Sequence, residues 1–404
     1  MKDADRNAGA GLLGVRPAWV GMTFLRDLLG AKVVASDGQL LLHAGPAFNS
    51  WQTVPAPVRH SMAFAAIYEG WAPDIDAAMS LLGAGKVEFG PAQDHDIVVP
   101  LAGVVSPSMA LHVVQDLADG EAGAKFHAVV NEGNVHALRL GSLDPDLPDH
   151  HSWLNGAFTD WIAGLFETPI DLAPLLQRSL ELGDDGHSNS TAGSRLLADE
   201  LRARASTTPQ RVTEFLQDST AFALNLWMAA AALSLQAGAG VTGSTLITRA
   251  GGNGVDFGIQ VSGLPDRWFT VPATPPIGDV PDVFSGLRAT GAIGDSAVVD
   301  VVGLGGAALK WAPSSVERLG SHLPDRALER PELLLAEPHG PLGTRTALTA
   351  EAVVREGLAP IVLLGMIEST GLEGRIGGGA YVPPVTLFQA ALSAIEIVPV
   401  AVRV

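Results

Sequence analysis

Two short polar segments carry the side chains best suited to chemistry. One segment, NEGNVHALRLG, contains Asn131, Glu132 and Arg139 around a glycine. The other, LGDDGHSNS, contains Asp184 and His187 in a loop after a predicted helix. Arginine binds carboxylates through two parallel hydrogen bonds, and histidine gains or loses a proton near neutral pH. The segments therefore predict a site for a small anion, with Asn131, Glu132 and Arg139 as binding residues.

Three residues are candidates for proton transfer in this site. Asp184 and His187 are close enough in sequence to form a carboxylate–histidine pair, and they are equally suited to holding a divalent cation. His43 ends a predicted strand and precedes a flexible turn at residues 44–46, from which an imidazole can act as an acid or a base. We therefore predict His43, Asp184 and His187 as catalytic residues. The alternatives are a capping role for His43 and a plain helix connection for the loop.

Glycines are concentrated between residues 251 and 306, with small polar side chains between them. Glycine lets backbone N–H groups surround an anion without obstruction by side chains. The series lacks the lysine of a phosphate-binding loop, the dinucleotide fingerprint and the Gly-x-Ser-x-Gly elbow of many serine hydrolases. We predict further substrate-binding residues in this series: Asn253, Gly254, Ser262, Asp295 and Ser296. The alternative is that these glycines serve tight turns in a sheet.

The segment PAQDHD brings two aspartates and a histidine together before a buried strand. In an extended chain Asp94 and Asp96 point to one face and His95 to the other, which argues against a shared metal ion. We expect neither a metal nor another cofactor. A metal-dependent amidohydrolase that uses Asp184 and His187 stays open as a third hypothesis for function.

The chain of 404 residues has 43 acidic and 25 basic residues and a formal charge of -18. This charge disfavours binding to nucleic acid and to anionic membrane surfaces. No cysteine is present, which excludes disulfides and thiolate metal sites. The first residues lack a sustained apolar run, so no signal peptide is predicted and a cytoplasmic location is expected. Residues 221–241 form an apolar stretch as long as a membrane span, but their polar residues and terminal glycines favour a buried helix.

The order of predicted helices and strands indicates an α+β fold with several domains, mixed sheets, glycine-rich loops and a helical subdomain in the middle. We predict an α/β domain at residues 1–145, a helical subdomain at 146–215 and a glycine-rich α+β domain at 216–404. Short β-branched runs predict strands at residues 32–34 and 297–302. The segment RIGGGAY, with three successive glycines, is predicted to be a loop.

Motifs that occur in a fixed order along the chain carry a resemblance to a known family: LLHAGP, IYEGWA, AGVVSPSM, NEG, GDDGH, NGVDFGIQVSG, RWFTVPA, GDSA, GLGG and RIGGGAYVPP. From about Leu41 onwards the chain resembles the YlbE/YahG-like proteins, a family of formerly uncharacterised proteins. One member is implicated as a subunit of oxamate carbamoyltransferase in anaerobic allantoin breakdown. The resemblance implies an α+β fold of several domains with a helical insert.

The resemblance also implies a function. The reaction would transfer a carbamoyl group between phosphate and the nitrogen of oxamate, giving oxalurate, and it requires groups that bind phosphate and carboxylate. The resemblance adds Asn225, which matches the family pattern, to the predicted substrate-binding residues. It implies a small anionic substrate, partner subunits that are FdrA-like or paralogous to this chain, and a homo- or hetero-oligomer.

The chain departs from the family pattern at positions where the relatives carry basic or nucleophilic side chains. Cysteine, histidine or arginine is replaced at these positions: Ala92, Gln93, Asp94, Asn189, Ala221, Gly252, Gln260 and Glu368. Two hypotheses therefore stand beside the metal-dependent one. The chain is either a transferase subunit acting on a carbamoyl or ureido compound, or a non-catalytic structural or regulatory subunit that holds an active partner.

Overall fold

Helices and strands are interleaved along the chain, as the α+β prediction requires. The computed structural model describes residues 2–339 and 344–397. The helices are α1 (Asp3–Gly14), α2 (Leu25–Leu28), α3 (Gly30–Ala35), α4 (Ala56–Tyr68), α5 (Ile75–Gly83), α6 (Leu147–Trp153), α7 (Thr159–Ala163), α8 (Leu172–Glu181), α9 (Thr191–Arg204), α10 (Gln210–Asp218), α11 (Phe222–Ala237), α12 (Ala297–Val302), α13 (Pro313–Leu319), α14 (Arg330–Leu334), α15 (Ala350–Glu356) and α16 (Val385–Ile397). The strands are β1 (Pro17–Phe24), β2 (Leu40–His43), β3 (Glu88–Pro91), β4 (Ile97–Val98), β5 (Val104–Val105), β6 (Ala110–Asp116), β7 (Lys125–Val129), β8 (Ile170–Asp171), β9 (Ile247–Asn253), β10 (Asp256–Val261), β11 (Leu264–Pro272), β12 (Ile293–Gly294), β13 (Leu335–His339), β14 (Thr344–Leu348), β15 (Val362–Ile367) and β16 (Arg375–Tyr381).

The strands assemble into sheets of different sizes. The first sheet has the order β4-β7-β6-β1-β8, the second has the order β11-β10-β9-β12, and the third has the order β3-β2-β5. Two hairpins, β13-β14 and β15-β16, complete the arrangement. Most neighbouring strands are antiparallel, whereas β4 pairs with β7 and β2 pairs with β3 in parallel. The predicted α+β fold with mixed sheets is therefore confirmed.

The apolar segment after residue 221 forms α11, which lies at the centre of the structure. Its side chains from Phe222 to Leu235 are all buried except the half-buried Leu224. It packs on strands of the first two sheets and on α1, α9 and α12, as expected for a helix without a polar face. Within the described ranges no single helix is long and apolar enough to cross a membrane, although α10 and α11, bent by 70° between them, pass that test as a pair.

Aromatic side chains hold the helical middle of the chain together. The ring centroids of Trp153 and Phe158 are 5.2 Å apart, and Phe215 of α10 packs edge-on against both rings. The same hydrophobic core includes Trp19 and Phe388, from the first and the last part of the chain. The core is therefore shared along the chain, and the division into three domains stays a prediction about independent folding units.

Two predicted strands are helical in the structure. Residues 32–34 lie within α3, where Val33 packs against a hydrophobic core and Val34 is exposed. Residues 297–302 form α12, whose side chains are all buried. Periodicity does not separate a strand from a helix when an apolar run is this short or is buried on every face. Both strand predictions are therefore wrong: the first run is too short to show a period, and the second has no polar face.

The segment RIGGGAY is a strand and not the predicted loop. It forms β16, and its glycines at residues 377–379 pair with β15. A Cβ atom on Gly379 would lie 2.5 Å from the carbonyl oxygen of Ile277. The prediction failed because these glycines allow a second backbone to lie directly against the strand, a use that sequence alone does not distinguish from a turn.

Asp295 joins the first part of the chain to the glycine-rich part. Its buried carboxylate accepts hydrogen bonds from the backbone N–H groups of Gly45 (2.8 Å) and Val99 (2.9 Å) and from Nε2 of Gln93 (2.6 Å). Beside it, a Cβ atom on Gly45 would lie 2.4 Å from the carbonyl carbon of Gly252, so the two backbones are in direct contact. Burial raises the pKa of Asp295 to about 7, and the N–H donors oppose this shift.

We expect Leu226→Ala to destabilise the protein strongly because the side chain is fully buried in α11. Loss of a buried leucine side chain leaves a cavity and costs about 2–5 kcal/mol of unfolding free energy. Denaturant unfolding measures the difference. Leu182→Ala is the control: this side chain is 51% exposed, so its replacement should change the unfolding free energy by less than about 0.5 kcal/mol. Equal effects of the two substitutions would contradict the central position of α11.

We expect the junction at Asp295 to make stability depend on pH. The folded chain keeps the Asp295 proton up to a pKa of about 7, whereas the unfolded chain releases it near 3.8. The stabilising contribution is therefore complete below about pH 4 and is lost as the pH rises through 7, at up to about 1.4 kcal/mol per pH unit. Asp295→Asn should abolish this slope in denaturant unfolding curves recorded across that range.

The control for this measurement is Asp160→Asn, which replaces an exposed carboxylate on α7. It should leave the pH dependence of the wild-type protein intact. Parallel pH profiles of wild type and Asp295→Asn would show that the carboxylate is ionised in the folded protein at all these pH values.

Candidate functional site

A buried polar network lies where β7 ends beneath α11. Nε2 of His112 lies 2.7 Å from Oε1 of Glu132, and Nδ2 of Asn225 donates to the same oxygen at 2.9 Å. The Asn225 amide also donates to Oδ1 of Asn131 at 3.2 Å and to the carbonyl oxygen of Val129 at 3.0 Å. The structure thus brings three of the predicted binding residues, Asn131, Glu132 and Asn225, into one network.

The network retains polar atoms that the protein does not use. Nδ2 of Asn131 and Oε2 of Glu132 are buried, and neither has a hydrogen-bond partner among the described residues. Buried polar groups in proteins are nearly always paired, because an unpaired one costs about 1–3 kcal/mol. Nδ1 of His112 is likewise buried and unpartnered among these residues, so three polar atoms of the network are left to meet a bound molecule or buried water molecules.

Arg139 lies beside this network with its guanidinium group buried. One of its N–H groups donates to the carbonyl oxygen of Gly133 at 2.8 Å. Burial, followed by the charge of Arg375, lowers the pKa of Arg139 to about 10, and the charge of Glu132 opposes the shift. Since this pKa is still far above neutrality, Arg139 is a desolvated cation.

Arg375 and Arg318 extend the positive charge from Arg139 to an open cavity of about 690 Å³. A Cβ atom on Gly378 would lie 3.2 Å from Nη2 of Arg375 and 3.6 Å from Nη1 of Arg318, so both guanidinium groups border the same space. Partial desolvation and the charge of Arg318 lower the pKa of Arg375. The cavity wall also includes these residues: Asp279, Val280, Pro281, Asp282, Phe284, Ile376 and Gly377.

We call Arg139, Arg318 and Arg375 the arginine cluster. In the described part of the chain, none of the three has a carboxylate within ion-pair distance, whereas Arg249 pairs with Asp94 at 3.1 Å. Cations that lie close together without a counter-ion repel each other. An anion at the cavity would relieve this repulsion, and guanidinium groups are suited to bind carboxylate or phosphate.

His187 is paired with a carboxylate that the sequence did not single out. Its Nδ1 lies 2.7 Å from Oδ2 of Asp300 in α12, and both side chains are buried. Burial raises the pKa of Asp300, while the His187 ring and backbone N–H groups act in the opposite direction. The next residue, Ser188, accepts a hydrogen bond from Nη2 of Arg318 at 2.8 Å. His187 is therefore linked to the arginine cluster through the chain itself.

Asp184 shares the loop of His187 but serves a different purpose in the contacts of the structure. Its two oxygens accept hydrogen bonds from the backbone N–H groups of Ala192 and Gly193, in the first turn of α9. A carboxylate in this position satisfies free N–H groups at the start of a helix. Burial raises the pKa of Asp184, and these two N–H groups oppose the change.

Asp184 and His187 have different partners and do not form a shared metal site: Asp184 bonds the start of α9, and His187 bonds Asp300. Among the residues that the structure describes, the one group of three potential ligands within reach of one another is His136, Asp144 and Asp146, which is partly exposed. His136 also bonds Asp144 directly at 2.7 Å. This group carries no further sign of a ligand.

The predicted binding residues of the glycine-rich part lie apart from the arginine cluster. Asn253 donates to the carbonyl oxygen of Pro46, and its own side-chain oxygen accepts from Val255 and Asp256. Gly254 has a φ of 88°, which explains the glycine in that turn. Three further predicted residues are also buried. Ser262 donates to the carbonyl oxygen of Gly238, Asp295 accepts hydrogen bonds at its junction, and Ser296 lies at the start of α12.

His43 lies at the end of β2, next to the junction formed by Asp295. Its Nδ1 is 2.9 Å from the carbonyl oxygen of Ala44, and its ring packs against Phe48 with the centroids 4.5 Å apart. Nε2 is buried and has no hydrogen-bond partner in the described residues. Burial lowers the pKa of His43 to about 4, so the ring is neutral at physiological pH.

The site therefore contains residues that the sequence analysis missed: His112, Asp300, Arg318 and Arg375. Arg375 and Asp300 occur in glycine-rich segments, where their neighbours are glycines or apolar residues. Such neighbours do not indicate that a charged residue is functional. His112 lies in a buried strand and Arg318 in no recognised motif. A buried charge within an apolar run is the signal that would have found His112 and Asp300.

Comparisons with known proteins agree with the motif resemblance. The model of the family "Oxamate carbamoyltransferase subunit AllG" matches residues 87–296. The chain is 31% identical to the Escherichia coli K12 protein of that name over 94% of both chains, and 31% identical to Escherichia coli K12 "Uncharacterized protein YahG" over 89% of this chain and 79% of that protein.

A solved structure shares the whole architecture. The crystal structure of a conserved protein of unknown function from Enterococcus faecalis V583 superimposes with a TM-score of 0.88 at 28% identity and covers 97% of both chains. The resemblance predicted from the ordered motifs is confirmed by these matches. This chain belongs to the AllG family of oxamate carbamoyltransferase subunits.

Proposed function

We propose that this chain is a subunit of a carbamoyltransferase-type complex that acts on a small anionic carbamoyl or ureido compound. The observation that carries the proposal is the arginine cluster. Arg318 and Arg375 line an open cavity, Arg139 lies buried behind them, and none of the three has a carboxylate partner among the described residues. The name of the relative, a subunit of oxamate carbamoyltransferase, supports both the reaction class and a multi-subunit enzyme. Because the whole chain has a formal charge of -18, it repels anions in general. A local group of arginines is therefore needed to attract one.

The cavity suits a substrate with a charged end and a polar body. Arg318 and Arg375 can hold a carboxylate or phosphate group through paired hydrogen bonds. Guanidinium groups also stabilise the negative charge that forms on a carbonyl oxygen when a nucleophile attacks it. His187 is our candidate for proton transfer because its loop contacts Arg318 through Ser188.

A second candidate function, a non-catalytic structural or regulatory subunit, is favoured by Asp94. The family resemblance implies a basic side chain near this position, whereas Asp94 is an acid that accepts hydrogen bonds from Arg249 and from the indole N–H of Trp268. A carboxylate at this position repels anions, and its ion pair with Arg249 neutralises the charge of that arginine. In this case the arginine cluster would hold the product or an effector of an active partner.

The test is isothermal titration calorimetry of the purified chain with carbamoyl phosphate, oxamate and oxalurate, alone and in complex with co-expressed partner subunits. Binding by the chain alone supports a substrate site on this chain. Binding only in the complex supports a site shared with a partner or located on it. Absence of binding in both forms would contradict the proposed function.

We expect Arg375→Ala to weaken binding of the anion that the wild-type chain binds by roughly 10- to 100-fold. Loss of one charge-assisted pair of hydrogen bonds is worth about 1.5–3 kcal/mol, which corresponds to that range. Arg318→Ala should have a similar effect. Calorimetry at fixed salt concentration gives the dissociation constants.

The matched control is Arg178→Ala, which removes an exposed arginine on α8 that pairs with Glu181 in the same helix. Its affinity for the anion should equal that of the wild type. An unchanged affinity in Arg375→Ala and Arg318→Ala, with both variants folded, would remove the arginine cluster from the site.

A further inference from the structure

The contacts of Asp300 determine what its partner histidine can do. One oxygen, Oδ1, accepts hydrogen bonds from the backbone N–H groups of Gly306 at 2.8 Å and Leu363 at 3.1 Å. The other oxygen, Oδ2, faces Nδ1 of His187 at 2.7 Å. The backbone contacts thus hold one carboxylate oxygen, and the imidazole ring contacts the other.

The chain is shaped to make these contacts. Gly305 has a φ of 52°, and a Cβ atom there would lie 2.2 Å from Oδ1 of Asp300 and 3.0 Å from Cβ of His187. A side chain at residue 305 would therefore separate the carboxylate from its backbone donors and displace the ring. The GLGG motif is required for the packing of this pair.

The hydrogen bonds of Asp300 determine the tautomer of the His187 ring. An ionised carboxylate only accepts hydrogen bonds, so Nδ1 of His187 must carry the proton that it donates to Asp300. In a neutral imidazole the other nitrogen, Nε2, is then an acceptor. In the described residues no protein group bonds to Nε2 of His187. This atom is not completely buried, whereas Nε2 of His43 is.

We infer that Asp300 is a positioning residue that holds His187 as the Nδ1–H tautomer, and that Nε2 of His187 is the proton acceptor of the arginine-cluster site. The inference rests on the proposed function, because it assigns a step within the same transfer reaction. It also adds Asp300, for which the sequence motifs and the comparisons assign no role.

The step balances as follows for a carbamoyl donor with an oxyanion leaving group and an acceptor that carries an amide N–H. The acceptor nitrogen forms a bond to the carbamoyl carbon and gives its proton to Nε2 of His187. The bond between that carbon and the leaving oxygen breaks, and its electron pair leaves with the oxygen. The imidazolium then returns the proton to the released anion, and Asp300 keeps its charge throughout.

The first test reads the tautomer directly. Long-range ¹H–¹⁵N NMR of the histidine rings at about pH 8, with His187 assigned by comparison with His187→Gln, reports which ring nitrogen carries the proton. We expect a proton on Nδ1 and none on Nε2 in the wild-type chain. A proton on Nε2 in the wild type would leave this atom unable to accept a proton, and it would overturn the inference.

Asp300→Asn is the informative variant because it preserves the backbone contacts. The amide oxygen of asparagine can still accept from Gly306 and Leu363, while its NH₂ group faces Nδ1 of His187 and donates to it. The proton of the ring should therefore move to Nε2, which the same NMR experiment detects. An unchanged tautomer in a folded Asp300→Asn chain would contradict the positioning role.

The second test uses turnover by the complex with its partner subunits. We expect Asp300→Asn and His187→Gln each to lower the turnover number by about 10²- to 10⁴-fold while anion affinity stays within about threefold of wild type. His187→Gln leaves the contacts of Asp300 with Gly306 and Leu363 in place, so it remains informative if Asp300→Asn fails to fold. Full turnover in either folded variant would overturn the inference.

Failure of the proposed function and failure of the Asp300 role give different experimental results. If the proposed function is wrong, the wild-type complex shows no carbamoyl transfer and no anion binding, whatever the NMR spectra show. If the positioning role alone is wrong, the wild-type complex is active, and Asp300→Asn retains that activity or the wild-type tautomer.

Discussion

Burial of α11 is the constraint on which the rest of the structure depends. From Phe222 to Ala237 this helix has no charged side chain, so both large sheets and the surrounding helices are needed to remove it from water. Asn225 is a polar exception within that buried surface. Because a buried amide must be hydrogen-bonded, Asn225 draws the end of β7 and the side chains of Asn131 and Glu132 toward it. The polar network beside the arginine cluster is thus a consequence of core packing.

The sequence predicted the parts of the fold that have a clear period or a long apolar run. The buried helix at α11, the strand that ends at His43 and the α+β class follow from such patterns. The sequence did not predict α12 or β16, since the first has no polar face and the second uses glycines for close backbone contact. In both cases the deciding information lies in a neighbouring segment that is distant in sequence.

The candidate site was predicted in part for the same reason. Asn131, Glu132 and Arg139 are close in sequence, and their proximity in space required no knowledge of the fold. By contrast, His187 and Asp300 are separated by 113 positions, and a glycine-rich apolar segment hides the aspartate. Asn253 and Asp295, chosen for their glycine-rich context, have most of their polar atoms engaged by protein groups, which sequence composition alone does not reveal.

The pairing of β15 with β16 has a consequence for the shape of the cavity beside it. Along this hairpin a third backbone segment, residues 277–279, lies directly on the glycines of β16, and no side chain separates them. One side of the cavity at Arg318 and Arg375 is therefore built from main chain, whose dimensions do not depend on the identity of the side chains around it. A substitution can then change this cavity through the side chains that line it beside the wall, such as Phe284 and Arg318. The hairpin thus gives the cavity a wall of fixed shape, and the side chains around that wall give the cavity its charge.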